Sequence, residues 1–336
     1  MVSPTYPAPR LLDRVSDRMR IQSYSPSTIA SYSHWIRQYI LFNGKRHPTE
    51  MGRLEIEAFL SHLASDRHVS PSTQNQALSA LLYLYTAVLE MPLEGSIDAV
   101  RAKRPKHIPT VLSQLEIQRL LDGMTGSPKL VVQLLYGSGL RVQEALTLRV
   151  HQLDFANGWI NVIGGKGSKD RITLLPKSAV APLEAHLRRV KHLHDRDLSI
   201  GLGAVILPHA FHLKDPSATH DFRWQFVFPS TRTFDDAKTG FSGRWHLNPS
   251  TVRRELSKAA SEAGIHKRVS PHVLRHCFAT HLMESGCDIR LIQALLGHKS
   301  VTTTMIYAHL VESRRRLLDS PLDAISHSAS PPQGGA

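Results

Sequence analysis

PHVLRHCFATHLMESGCDIRLIQALLGHKSVTTTMIYAHL, residues 271–310, is the stretch on which the rest of the chain is read. Apolar residues recur in it at helical spacing over 271–285, 288–296 and 301–309, so it reads as three short helices joined by tight turns. It holds His272, Arg275, His298 and Tyr307. On a helix His272 and Arg275 stand at i and i+3 and share a face. A guanidinium, two imidazoles and a phenol suit attack on a phosphodiester. That reaction spreads negative charge over the equatorial oxygens and needs fixed cations and placed donors more than a strong base. A phenol can then hold the product as a covalent ester. Each member alone has a plainer reading: an HxxR pair commonly marks a surface helix face, and a tyrosine in TTTMIYAHL commonly packs. The chemistry rests on the set.

The composition fits a polyanionic partner. Lys and Arg number 41 against 28 Asp and Glu in 336 residues, a formal charge of +13 with pI near 10. With 41% hydrophobic residues and this length, the chain has room for two domains with ordinary cores. The only cysteines, Cys277 and Cys287, form no CxxC pair. A disulfide scaffold and a cysteine zinc site are therefore not expected, and a reducing cytoplasm is the natural home. MVSPTYPAPR lacks the apolar region of a secretory signal, and the apolar-leaning run LSALLYLYTAVLEM is too short for a bilayer, so no membrane role is expected. His192/His194 and His209/His212 have ligand-like spacing. Without HExxH or a carboxylate cluster they read as surface histidines, and no metal is expected.

Residues 1–95 read as an N-terminal helical domain, with apolar residues at helical spacing in 27–42, 54–63 and 77–91. Ser25-Pro26-Ser27 and Ser70-Pro71-Ser72 each place a cap and a first-turn proline before a helix. Residues 96–112 read as a linker. Arg101, Lys103, Arg104 and Lys106 sit there beside prolines, and such a segment can follow a phosphate backbone or be merely solvated. Residues 113–320 form a larger domain, opened by Ser113 and Glu116 at capping-box spacing. Helices are expected near 127–137, 141–149, 177–197 and 249–264, and GWINVIGGKGSKDRITLLP reads as strand, glycine-rich turn, strand. An irregular insert covers 198–247, and 321–336 reads as a disordered tail. The fold class expected is mainly α with a small antiparallel β-sheet.

Two further residues join the reactive set. Arg141 follows two glycines in GSGLRVQEAL at a helix start, and Glu144, one turn on, can hold its guanidinium. With Arg275 it makes a second clamp on one phosphate. Lys166 lies in the turn GGKGSKD, from which a lysine can protonate a leaving oxygen; Lys169 can do the same. This turn lacks the spacing of a nucleotide-triphosphate loop.

Arg141, Lys166, His272, Arg275, His298 and Tyr307, set in GSGLR, GKGSKDR, PHxLRHxFATHL, LLGH and TTxxY, resemble the tyrosine recombinase (phage-integrase-type) family in order and gaps, over nearly the whole chain. The resemblance implies an N-terminal helical DNA-clamp domain and a catalytic domain with those six residues at work. Arg141 and Arg275 would bind the scissile phosphate and Tyr307 would form a 3′-phosphotyrosyl link. Lys166, chosen over Lys169 by its gap from Arg141, would donate to the departing 5′-oxygen, with His272 and His298 assisting. No ATP, metal or other cofactor is implied. DNA contacts are expected from the linker cations and from Lys169 and Arg171 in the hairpin. Four protomers would assemble on DNA through a C-terminal segment, around 310–326, that can equally pack in cis.

The insert 198–247 makes the chain most similar to an integron integrase within that family. In such enzymes the insert holds bases that protrude from a folded single-stranded hairpin. Trp224 fits that role, since any base stacks on an indole, and Trp245 and His246 stand where many members carry two histidines. Phe222, Trp224, Phe226 and Phe228 alternate, which also suits a buried strand. A recombinase acting on duplex sites, a relaxing topoisomerase and an inactive DNA-binding protein are the alternatives.

Overall fold

The structure, a computed structural model, describes residues 10–93, 95, 97–100, 110–164, 170–208, 211–236, 241–297 and 320. Arg101, Lys103, Arg104, Lys106, Lys166, Lys169, His209, His298, Tyr307, the expected helix at 301–309 and the tail 321–336 lie outside the described residues. The chain divides into two units, residues 1–107 and 108–336.

The first unit is built from α1 (Leu11–Ile21), α2 (Pro26–Phe42), α3 (Arg53–Ser65) and α4 (Pro71–Tyr83). The two Ser-Pro-Ser-Thr runs behave alike. Ser25 Oγ accepts from the Thr28 N–H at 3.2 Å and Ser70 Oγ from the Thr73 N–H at 3.3 Å, each with proline in the first turn. Ile36 and Tyr39 of α2, Ile56, Phe59, Leu60 and Leu63 of α3, and Ala77, Ala80 and Leu81 of α4 close the core at helical spacing. Beyond Tyr83 the helix widens into a π turn, Leu84–Val88. Buried phenols there are satisfied: Tyr39 and Tyr85 hydroxyls pair at 3.0 Å, and Tyr85 donates to the Pro48 carbonyl at 2.9 Å.

In the second unit, α5 (Gln114–Asp122), α6 (Gly126–Gly137) and α7 (Val142–Thr147) lead into a three-stranded antiparallel sheet, β1 (Leu153–Asp154), β2 (Trp159–Val162) and β3 (Arg171–Leu174), in the order β1-β2-β3. Next come α8 (Lys177–Ser199), the short α9 (Phe211–Lys214), a hairpin of β4 (Phe234–Asp236) and β5 (Phe241–Gly243), then α10 (Pro249–Glu262), α11 (Pro271–Glu284) and α12 (Ile289–Leu296). The Ser113–Glu116 capping box forms as its spacing predicts. α6 is buried almost all round, through Leu130, Val131, Val132, Leu134, Leu135 and Tyr136, and α8, α10 and α11 pack on it. The fold is thus mainly helical with small antiparallel sheets, as expected. β1 and the β4–β5 hairpin go beyond the sequence reading, since strands of two or three residues carry no usable alternation. No helix among the described residues is long and apolar enough to cross a membrane.

Candidate active site

α6 ends at Gly137, and the chain turns through Ser138 and Gly139 to place Arg141 at the N-cap of α7. Gly139 sits at φ +63°, and a Cβ there would lie 2.5 Å from Phe278 Cδ1 and 2.9 Å from Leu296 Cδ2. Only glycine suits both the backbone and the packing. Glu144, at the third position of α7, turns back to its own helix start. Its Oε2 accepts from the Arg141 N–H at 2.8 Å, and its Oε1 accepts from Arg141 Nη1 at 2.7 Å.

Two more arginines converge on the same carboxylate. Arg171, the first residue of β3, donates Nη1 to Oε1 at 3.0 Å and Nη2 to Oε2 at 2.6 Å, and its Nε donates to the Leu295 carbonyl at 2.9 Å. Arg275, on α11, stands 3.8 Å from Glu144 Oε2 and donates instead to the carbonyls of Gly139 and Leu296. Leu295 and Leu296 end α12, so two guanidiniums cap its C-terminus, where free carbonyls and the helix dipole favour cations. Gly297 follows in the left-handed conformation, φ +65°, and a Cβ there would meet Arg171 Cδ at 2.8 Å.

The electrostatics of this cluster are unbalanced. Burial opposes ionisation of Glu144, but hydrogen bonds from Arg171 and from the Arg141 N–H outweigh it and hold the carboxyl down to about 2. Burial, and then the neighbouring Arg141 and Arg171, push Arg275 down to about 10, so it remains a cation at neutral pH. Three guanidiniums against one carboxylate leave two positive charges in excess. Glu144, Arg171 and Arg275 are 7–8% exposed at their side chains, and Arg141 is 24% exposed. An excess of cations in a half-dry site calls for a dianionic or transition-state anion that arrives with the substrate.

His272 stands exposed in the first turn of α11, its ring 5.8 Å from that of His276. The hairpin that carries Lys166 is closed at its base, where the Gly164 N–H donates to Asp170 Oδ1 at 2.8 Å. His298 follows Gly297 directly in the chain. Lys166, His298 and Tyr307 themselves lie outside the described residues.

Residues 110–314 match the phage integrase family, and residues 11–94 match the N-terminal SAM-like domain of phage integrases. The chain belongs to the phage integrase family. Its members are tyrosine recombinases, enzymes that cut and rejoin DNA at specific sites. The chain is 43% identical over 316 residues to an integrase/recombinase of Escherichia coli, with 94% of each covered. It is 32% identical over 309 residues to tyrosine recombinase XerD of Agrobacterium fabrum, with 86% of each covered. Among solved structures it is similar in fold to the XerH site-specific recombinase bound to difH substrate in a pre-cleavage complex. That match has a TM-score of 0.56 and 18% identity, covering 96% of this chain and 85% of the other.

In this recombinase the insert has its own small core. Val205, Leu207 and Ala218 are buried, with Phe211 and Trp224 against them. Asp197 and Arg244 form a buried ion pair beneath it, with Nη2 to Oδ1 at 3.0 Å, and Arg244 also donates to the Thr231 carbonyl at 2.6 Å. Trp224 is half-buried, its ring 4.8 Å from Phe211 and 4.5 Å from His151. Trp245 is 40% exposed and meets Phe226 edge-on at 5.4 Å. Phe226 and Phe228 are buried, as is Val227 between them, so this segment is buried on both faces.

Two residues expected to contact DNA are engaged within the protein. Arg171 is buried, with Nε, Nη1 and Nη2 all engaged by Leu295 and Glu144, because the carboxylate draws it inward. His246 is 7% exposed, its ring bonded to Gln143 at 3.1 Å and to the Leu247 carbonyl at 2.8 Å. The hub role of Glu144, beyond its hold on Arg141, was not visible in the sequence. The KDR that ends the hairpin was the one available signal.

Proposed function

We propose that this chain exchanges DNA strands at specific sites through a covalent phosphotyrosine. Arg141 and Arg275 hold the non-bridging oxygens of the scissile phosphate. The Tyr307 oxygen attacks phosphorus and gives up its proton to a nearby histidine, the bond to the 5′-oxygen breaks, and Lys166 supplies the proton that the departing oxygen takes. His272 and His298 donate hydrogen bonds to the transition state. A free 5′-hydroxyl of a partner strand then attacks phosphorus and returns its proton to Lys166, and the tyrosine leaves and takes back its own. The ester conserves the bond energy through both steps.

The observation that carries this reading is the convergence of Arg141 and Arg275 on one carboxylate, with positive charge in excess. A nicked duplex, in which the cleaved fragment diffuses away, tests it. The site is first selected from random-sequence DNA by covalent capture on the wild-type chain. An adduct should form with the wild type and be absent with Tyr307→Phe; an adduct that persists in that variant overturns the nucleophile assignment.

The finer reading is an integron integrase of the cytoplasm, acting as four protomers on a folded single-stranded hairpin and a duplex site. Its support is the insert with the exposed indole of Trp245. The alternative is a recombinase that acts on duplex sites. Gel shifts with each strand of a hairpin-forming site against its duplex decide: equal or tighter duplex binding defeats the integron reading.

A further inference from the structure

A carboxylate offers about four acceptor positions. In Glu144 all four are occupied: Oε1 takes Nη1 of Arg141 and Nη1 of Arg171, and Oε2 takes the Arg141 N–H and Nη2 of Arg171. Arg171 supplies two of the four. Arg275 comes only to 3.8 Å of Oε2, without a hydrogen bond to it, and is held by the Gly139 and Leu296 carbonyls. A guanidinium has five N–H groups, and these two carbonyls leave Arg275 with donors to spare.

We infer that Arg171 is a positioning residue for DNA cleavage: by filling Glu144 it keeps Arg275 off the carboxylate and free for the scissile phosphate. Without Arg171, each carboxylate oxygen has an open acceptor, and Arg275 stands 3.8 Å from Oε2. Arg275 then closes onto Glu144, and the phosphate loses one jaw of its clamp. Arg171 also joins β3 to the end of α12 through Leu295, so this one side chain ties the hairpin, the clamp and the turn at Gly297 together. The inference rests on the phosphate-clamp roles proposed above for Arg141 and Arg275.

The test measures single-turnover cleavage of the selected nicked duplex, its dissociation constant and the unfolding midpoint, for wild type, Arg171→Gln, Arg171→Lys, Glu144→Gln and the double variant Glu144→Gln/Arg171→Gln. Displacing a clamp by an ångström costs about 100-fold in rate, so Arg171→Gln should cleave about 100-fold slower with DNA affinity held within about threefold. Arg171→Lys fills one acceptor instead of two and should fall between; it carries the test if Arg171→Gln does not fold. In the Glu144→Gln background nothing draws Arg275 away, so adding Arg171→Gln should change cleavage by less than about threefold. A purely structural role moves stability and cleavage together and gives the same loss in both backgrounds; that result overturns the inference. A wild-type chain that captures no DNA from the random pool overturns the proposed reaction itself, a failure distinct from normal wild-type cleavage with an indifferent Arg171.

Discussion

Arg275 donates to the backbone carbonyl of Gly139, a residue 136 positions earlier in the chain. The contact makes the α6–α7 turn part of the proposed clamp, because that turn must approach α11 closely enough for a guanidinium to reach its backbone. Gly139→Ala should therefore fail twice. Its left-handed backbone and a Cβ 2.5 Å from Phe278 should cost at least about 2 kcal/mol in urea unfolding, and the displaced carbonyl should slow cleavage further. Gly158→Ala is the control, with φ +72° and nothing within 4 Å of its Cβ. It should cost only about 1 kcal/mol, through backbone strain. Equal losses at both positions would show that packing at Gly139 is unimportant.

Glu144 predicts a pH dependence with a definite sign. Unfolded, the carboxyl titrates near ~4.3; folded, it is held down to about 2. Between those values the unfolded chain binds more protons, so stability rises with pH. The contribution is fully present above about pH 5, is lost as the pH falls toward 2, and amounts to roughly 3 kcal/mol. The stability gap between wild type and Glu144→Gln should be large at pH 7 and shrink toward pH 3. A gap that stays constant over that range would show that Glu144 is not ionised in the fold.

What could be read from residue order and what could not divide along physical lines. The caps at Ser25, Ser70 and Ser113 are local, three residues from donor to acceptor, and the spacing alone places them. Arg141 and Arg275 were legible as a pair through their motifs, and Glu144 as a partner of Arg141 through helix spacing. Arg171 was not. Its partners lie 27 and 124 residues away, and the KDR that opens the second hairpin strand does not say which way its arginine faces. The same holds for His246, which is bonded to Gln143 of α7, 103 residues earlier in the chain. Aromatic alternation at 222–228 separated neither face, because Val227 is as buried as Phe226 and Phe228.

The insert should depend on the Asp197–Arg244 pair. Both side chains are under 10% exposed, and Arg244 also holds the Thr231 carbonyl. Removing one partner strands the other charge, at a cost of roughly 3–5 kcal/mol. Asp197→Ala should lose stability on that scale, and Asp197→Ala/Arg244→Met should recover at least about 1 kcal/mol of it. Chemical denaturation measures both. A double variant less stable than the single one would mean that the Arg244 contacts to backbone carbonyls outweigh its pairing with Asp197.

The two indoles of the insert should separate cleanly. Trp224 is wedged between Phe211 and His151, and its carbonyl accepts from Arg149 Nη1 at 2.6 Å. Trp245 presents 40% of its surface to solvent. Trp245→Ala should cost no more than about 1.5 kcal/mol of unfolding free energy, the worth of its edge-on contact with Phe226. Stacking on an indole is worth about 1–3 kcal/mol per base, so the same change should weaken binding of a folded single-stranded hairpin about 5- to 150-fold and leave duplex binding unchanged. Trp224→Ala should instead lower stability, by about 3 kcal/mol, through the cavity it leaves. If Trp245→Ala binds hairpin and duplex as the wild type does, the exposed indole is no base platform. The integron reading then loses its main support, while the phosphate clamp is untouched.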